Sequence, residues 1–421
     1  MALAPYSAFT SNRNVVMSIE LEQLNTSPDE GGRVPLFLDD VLGLGTIDAR
    51  AAYLHVPFCF HKCHYCDFYS IVDTQDRQEV FVERMDHELR SMGPRCEKPL
   101  SAVFIGGGTP TLLRPELLAR LLGSVTRHLP LASDCEWTVE ANPETVDQRI
   151  ADVLVEGGVN RVSVGCQSFQ PTSLKMLERH HEPRNVGRAV EHVRASGIKS
   201  INLDLIMGIP GSVLSEWIDD LDQALALDPE HLSCYGLQYE PNTPLSRKLE
   251  MGHLQRLDDE LEAAMYEYTV TRLSKAGFDQ YEISNWSRPG RSCQHNLVYW
   301  RSDNWLAFGP SASGHLDGTR WKITPRLSEW LASTSSVPVV DVERLDDFTR
   351  TGERLMLELR LVEGIAVGDL DRILDHFDPD GERRLAIQEG LRDGLLHQEC
   401  DRMKLTHAGR LLADSLLSRL V

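Results

Sequence analysis

The chain has 421 residues, enough for two or three domains at roughly 150 residues each. Hydrophobic residues make up 42% and charged residues 25%, the balance of a globular protein with ample chain for a core. The formal net charge of −20 argues against nucleic-acid binding through phosphate contacts. No run of about 18 apolar residues is present to span a membrane.

Residues 1–50, a mixture of Ser, Asn, Pro and Gly with little periodicity, read as an extension that is partly disordered or a loose strap over the next domain. Its acids Glu20, Glu22, Asp29 and Glu30 argue against a transit peptide, and no basic-then-apolar signal pattern opens it. Nine cysteines, three of them grouped, point to a reducing, cytoplasmic compartment instead of a disulfide framework.

From Ala51 onward, short β-like runs alternate with helical ones. The strands are expected at Ala52–Val56, Ala102–Ile105, Glu136–Glu140, Arg161–Val164, Ser200–Leu205 and Leu232–Leu237. The helices are expected near Gln78–Ser91, Pro115–His128, Val146–Gly157, Asn185–Ser196, Leu214–Leu227 and Asp258–Ala276. Such strand–helix units predict a parallel sheet. Periodicity does not say whether it is open or curled.

The first strand runs into a segment, Tyr53–Ser70, that holds Cys59, Cys63 and Cys66 in a C-x3-C-x2-C spacing. Thiolates suit iron–sulfur clusters and zinc. A structural zinc site takes four protein ligands, and this run offers three cysteines. On a four-iron cluster, three thiolates leave one iron open to a small molecule. Two alternatives stand beside the cluster: zinc with His55, His61 or His64 as fourth ligand, and a disulfide with a spare thiol.

The later strand ends are also chemically loaded. They lead to Gly106-Gly107-Gly108-Thr109-Pro110, to Glu140 and Asn142-Pro143, to Gly165-Cys166-Gln167, to Asp204, and to Tyr239-Glu240. In parallel α/β folds the carboxyl ends of the strands form the ligand face. The glycine run fits neither the dinucleotide fingerprint nor a P-loop. Taken singly, each feature has a plain reading: a tight turn, a capping acid at Glu140, a salt-bridged Asp204, a solvated helix end at Arg179 and His180. Their convergence on one face carries the weight.

Together the motifs GGGTPT, VEANPE, GVNRVSVGCQSF, LERHH and LDLIMGIPG resemble one branch of the radical S-adenosylmethionine (SAM) superfamily, the branch containing oxygen-independent coproporphyrinogen oxidase. The resemblance runs from about Ala51 to the C-terminus. It implies an α/β fold: a partial (β/α)6 barrel over 51–285, a smaller α+β region over 286–339, and a winged-helix-like domain over 340–421. It implies a [4Fe-4S] cluster on Cys59, Cys63 and Cys66, with SAM chelating the open iron. Tyr53, Tyr65, Gly107, Gly108, Thr109, Glu140, Gln167, Arg179 and Asp204 would surround that SAM, with Tyr65 against the adenine. The chemistry implied is reductive cleavage of the sulfonium, which the cofactor carries and the protein orients.

Two departures separate subfamilies. The coproporphyrinogen oxidases carry a further cysteine two residues after the triplet, where this chain has Phe68. After the barrel comes His295-Asn296-Leu297-Val298-Tyr299-Trp300, and this H-N-x-x-Y-W element resembles that of the HemW-type haem chaperones, which bind haem and pass it to acceptor proteins. That resemblance implies haem in the 286–339 segment, with His295 as an iron ligand and Tyr299, Trp300, Trp305 and Phe308 as apolar walls. Cys293 ranks second as donor. Five of the seven tryptophans lie between Trp286 and Trp330, which on the residues alone is more often a small aromatic subcore. The expected function is haem chaperoning toward acceptor proteins, respiratory or membrane-associated ones among them, without coproporphyrinogen oxidase activity. The alternatives are an oxygen-independent coproporphyrinogen III oxidase and a radical enzyme on another substrate; a homodimer is left open.

The C-terminal part reads as three helices, a strand pair at Leu395–Glu399 and Met403–Leu405, and a helix His407–Leu420. This resembles a winged helix. With 12 Lys and Arg against 18 Asp and Glu in residues 340–421, it is expected to dock over the barrel mouth as a lid, not to bind nucleic acid.

Overall fold

A computed structural model describes residues 36–333 and 336–421. Two short elements precede the barrel: strand β1, Leu36–Phe37, and a helical turn, Leu38–Leu42. The barrel strands follow as β2 (Ala51–Val56), β3 (Leu100–Gly107), β4 (Leu131–Ala141), β5 (Arg161–Gln167), β6 (Ser200–Met207) and β7 (His231–Gly236). Adjacent members pair in parallel, in chain order. The expected helices are found at Gln78–Met92, Pro115–His128, Gln148–Glu156, Pro183–Ala195, Leu214–Ala226 and Asp259–Lys275, within about three residues of the expected ends.

Local chemistry explains these helices. Pro115 opens its helix at a position where no N–H is needed, Glu116 faces the positive dipole end, and Arg127 and His128 face the negative end. Leu117, Leu118, Leu121, Leu122 and Val125 form the buried stripe that docks it on the sheet. Asp258 caps its helix by accepting from the Glu260 N–H at 3.0 Å.

The sheet does not stop at the six strands. On one edge β7 pairs antiparallel with β9 (Asn285–Ser287), which pairs with β8 (Asp279–Glu282). On the other edge β10 (Trp305–Phe308) pairs in parallel with β2. Strands β11 (Ser313–Leu316), β12 (Thr319–Ile323) and β13 (Pro338–Arg344) continue outward from it, and β1 closes that edge. Among the described residues this makes one sheet of 13 strands.

Residues 286–339 hold both helices and strands, and their strands extend the barrel sheet, with Phe308, Trp321 and Trp330 in its main hydrophobic core. Of the extension, residues 36–50 are folded onto the sheet edge, Leu36 opposite Val339, with Leu38, Ile47 and Ala49 buried. The remainder of the extension lies outside the described residues.

The barrel strands alternate in an unusual sense. The residues that face the surrounding helices are apolar: Leu54, Val103, Val139, Val162, Leu203 and Leu232 are all fully buried. The intervening row faces inward and is polar: His55, Thr138, Glu140, Arg161, Ser163, Asn202, Asp204 and Ser233. A barrel that fills itself with side chains uses branched apolar residues inside. A polar interior is the lining of a ligand cavity.

The C-terminal part has its own core of Leu, Ile and Met side chains. Helix Asp347–Glu358, β14 (Ile365–Ala366), helices Val367–His376 and Glu382–Arg392, β15 (Leu396–Glu399) and β16 (Arg402–Leu405) follow in the order of a winged helix. The single last helix expected at His407–Leu420 is two short ones, His407–Leu411 and Ala413–Leu417, broken at Leu412. Nor is this unit a lid over the mouth. Val362 N–H donates to the Tyr281 carbonyl at 2.9 Å, Arg360 lies over the Trp300 ring, and Arg320 pairs with Glu353 at 3.0 Å. These contacts hold it beside the amino-terminal end of the barrel, away from the cysteines.

Candidate functional site

At the carboxyl ends of the strands, residues 57–71 form a closed loop. Phe58 and Ile71 bridge at its neck, and the Cys59 N–H donates to the Ile71 carbonyl at 2.9 Å. Cys59, Cys63 and Cys66 are half-buried free thiols on this loop. Burial pushes the Cys59 thiol up and the Cys66 thiol up to about 12, so both stay protonated until a metal ion displaces the proton.

Of the neighbouring histidines, His55 and His64 are hydrogen-bonded elsewhere, and His61 is turned toward His180. His55 is held by the Tyr53 hydroxyl at 3.1 Å and the Tyr69 carbonyl at 2.7 Å, and His64 Nδ1 by Lys248 at 3.0 Å. His61 packs edge-on against His180. This leaves a three-thiol donor set, which fits a cluster with one open iron better than a four-ligand zinc site.

The strand-end residues converge on that loop. Thr109 Oγ1 lies 3.6 Å from Cys59 Sγ, and its N–H donates to the Phe58 carbonyl at 2.8 Å. Arg179 reaches between two strand ends: Nη1 is 3.8 Å from Cys63 Sγ, and Nη2 donates to the Gly165 carbonyl at 2.6 Å. Tyr65 packs with Leu177, Ile206 and Leu237, and burial among them pushes its phenol pKa up.

Gly107 has φ +103°, and a Cβ there would come within 2.4 Å of the His55 ring. Its N–H donates to Glu140 Oε2 at 2.9 Å, and Gly108 N–H to the Val56 carbonyl at 2.8 Å. Gly165 clears space for two site residues at once, since a Cβ would meet Gln167 Nε2 at 2.9 Å and Arg179 Nη2 at 3.2 Å. Gln167 itself holds a left-handed φ of 67° next to a register shift in β5, strain of about 1–3 kcal/mol of a kind that collects at ligand sites.

Deeper in the barrel stand the acids. Burial, together with the nearby Asp204, pushes the Glu140 carboxyl up to about 7, against the Gly107 N–H that holds it down. Asp204 accepts from Ser163 at 2.9 Å and from Asn202 at 2.7 Å, and burial raises it as well. Arg161, only 2% exposed, is the cation beneath both acids and was not singled out from sequence. The signal for it was the alternation Arg161, Ser163, Gly165, Gln167, a charged residue on the inward row of a strand. Tyr53 is placed lower than expected. It lies in the Phe104–Arg161 layer, its ring 6.2 Å from both Phe104 and His295.

The H-N-x-x-Y-W element is in a different place altogether. Helix Gln294–Trp300 plugs the amino-terminal end of the barrel. The Gln294 N–H donates to Glu136 Oε1 at 2.8 Å, and Val298 and Tyr299 pack on Ala51 and Ala102. His295 is 3% exposed, stacked on Phe104 at 5.1 Å, with Nε2 bonded to the Tyr299 hydroxyl at 2.7 Å. Burial and then the Arg161 charge pull its pKa down to about 3, so the imidazole is neutral. Cys293 is buried too, its thiol pushed up to about 12 by that burial.

The expected open haem slot is therefore corrected. His295 presents no free face to a macrocycle, and Tyr299 is its hydrogen-bond partner. Trp300 sits under Arg360 of the C-terminal unit, while Trp286, Trp321 and Trp330 are buried in the main core. Trp305 alone stands beside Tyr299, half-buried and edge-on at 4.5 Å, so the tryptophans do not form one wall.

A curled six-strand parallel sheet, a three-cysteine loop at its mouth and an inward polar lining define a radical SAM protein. The model of the Radical SAM superfamily matches residues 53–224. Among solved structures, the coproporphyrinogen III oxidase HemN of Escherichia coli shares the fold, with a TM-score of 0.76 over 89% of this chain and 90% of that one, at 20% identity. In sequence the chain is 38% identical to the heme chaperone HemW of Mycobacterium tuberculosis over 88% of its length and 94% of the relative's. It is 34% identical to that of Bacillus subtilis, over 87% and 98%, and 36% identical to that of Escherichia coli, over 87% and 96%. The chain belongs to the HemW heme-chaperone family.

Proposed function

We propose that this protein is a haem chaperone: it binds haem, carries a SAM-ligated [4Fe-4S] cluster at the barrel mouth, and hands haem to acceptor proteins. The observation that carries this reading is the pairing of a radical SAM mouth with Phe68. That residue is 62% exposed at the position where the resembling oxidases have a cysteine. Phenylalanine supplies no thiol, so the oxidase chemistry lacks a residue it uses.

Cys59, Cys63 and Cys66 would hold the cluster. Bound there, SAM would supply a sulfonium open to one-electron cleavage. This chain's own residues supply the rest. Glu140 and Asp204 offer acceptors to an ammonium group, Arg179 and Gln167 offer donors to a carboxylate, and Tyr65 offers an aromatic face. Nine free cysteines suit a reducing cytoplasm, and no helix among the described residues is long and apolar enough to cross a membrane.

One reconstituted, anaerobic sample tests the reading in two arms. Haem titration should produce a Soret band saturating near one haem per chain, and coproporphyrinogen should release no carbon dioxide over many turnovers. Sustained turnover, or no saturable haem binding, would reject it.

A further inference from the structure

Where the cysteine loop meets the turn after helix Pro171–Met176, three metal-binding side chains come together. His61, Glu178 and His180 each offer a ligand atom, and these atoms lie within 4.8 Å of one another. The two imidazoles pack edge to face with centroids 4.5 Å apart. The Glu178 carboxylate stands 3.8 Å from His180 Nε2 through one oxygen and 3.8 Å from His64 Nδ1 through the other. His61 and His180 are exposed, and neither belongs to the SAM lining described above.

The backbone explains why Glu178 and His180 share a face. The helix Pro171–Met176 ends in a paired cap, with Glu178 N–H bonded to the Lys175 carbonyl and Arg179 N–H to the Leu174 carbonyl. Glycine is the usual residue at the left-handed position of such a cap. Here it is Glu178, at φ 54°, a costlier choice that places a carboxylate there. The chain then alternates. Arg179 turns in toward Cys63 and His181 is buried, while Glu178 and His180 turn out toward His61.

We propose that His61, Glu178 and His180 form a site for a divalent transition-metal ion, zinc in the first place, separate from the cluster. Two imidazoles and a carboxylate are a usual three-ligand set for zinc, with a fourth position left for water or a ligand. A tetrahedral site brings ligand atoms to about 3.3 Å of one another, which small rotations of exposed side chains provide. His61 lies between Cys59 and Cys63, and Glu178 and His180 flank Arg179. The ion would therefore staple the cysteine loop to the turn that carries the arginine, and restrain the loop from opening.

The test uses cluster-reconstituted protein, freed of any affinity tag and of loosely bound metal. Its oxidised cluster is diamagnetic, so cobalt(II) can be read by electron paramagnetic resonance beside it, and zinc by calorimetry. One equivalent of either ion should bind. His61→Ala and His180→Ala should each weaken binding by more than about tenfold while iron content and cluster absorbance stay those of the parent. Zinc should slow loss of cluster iron to a chelator in the parent and leave the rate unchanged in His180→Ala. Binding that survives both histidine substitutions, metal uptake that displaces cluster iron, or saturation with no change in iron loss would each overturn the proposal.

Discussion

The two ends of this barrel use the same residue types to opposite ends. At the mouth, Cys59, Cys63 and Cys66 are half-buried on a loop, Arg179 leans on a sulfur, and Gln167 is held in a strained conformation. At the floor, Cys293 and His295 are sealed under a helix, and His295 is stacked and hydrogen-bonded. A histidine or cysteine is a ligand by its exposure and its free lone pair, not by its name. The mouth keeps the exposure; the floor has traded it for packing, and the one His295 nitrogen without a partner, Nδ1, is sealed beneath the helix.

The strongest way to break this division is Cys63→Ser. If the mouth is the cluster site, the variant should lose essentially all reconstituted iron and the visible absorbance, with the fold retained by circular dichroism. Stoichiometric zinc in the parent with no cluster uptake would end the mouth assignment.

The floor is tested by His295→Ala. Removing a buried ring leaves a cavity beside Tyr53 and Phe104 and strands the Tyr299 hydroxyl, a loss of about 2–4 kcal/mol in denaturant unfolding. Cluster content, and the Soret band of the fraction that folds, should match the parent. A variant of parental stability that no longer binds haem would mean the floor helix opens and donates His295 after all.

The smallest effect sharpens the mouth itself. Glu140, with its carboxyl raised to about 7 mainly by burial, is largely protonated below that pH and cannot then serve as an anionic acceptor. SAM affinity, measured by calorimetry, should fall as pH drops through about 7, and Glu140→Gln should weaken binding several-fold and flatten the profile. The same raised pKa costs stability in the absence of ligand. The unfolded chain ionises first, so stability falls as pH rises from the ordinary carboxylate range toward 7. Glu140→Gln should remove that slope as well. A pH-independent affinity in the parent would show that Glu140 does not face the ligand's charge.

Much of the mouth was legible beforehand because it is written locally. The cysteine spacing lies within eight residues, the glycine run marks where a backbone must turn past His55, and the loaded strand ends repeat along the chain. Arg161 escaped notice because a lone arginine in a short strand looks like an edge charge until the register shows which row faces inward. The aromatic segment misled for the opposite reason. His295, Tyr299 and Trp300 follow a recognisable motif, but their role depends on partners such as Phe104, Ala51 and Arg360, far away in the chain.

What the sequence determined by itself is therefore the periodic and the short-range: the strand–helix units, the helix caps, the thiol triplet and the family they mark. Hydrophobic period, capping and ligand spacing act within one or two turns of chain, so they survive without a fold. Only the tertiary structure decided which end of the barrel each motif occupies. It closed β10 against β2, swung helix Gln294–Trp300 under the floor, and docked the winged helix there instead of over the mouth. Burial and strand pairing between residues hundreds apart set those outcomes, and neither leaves a local signature.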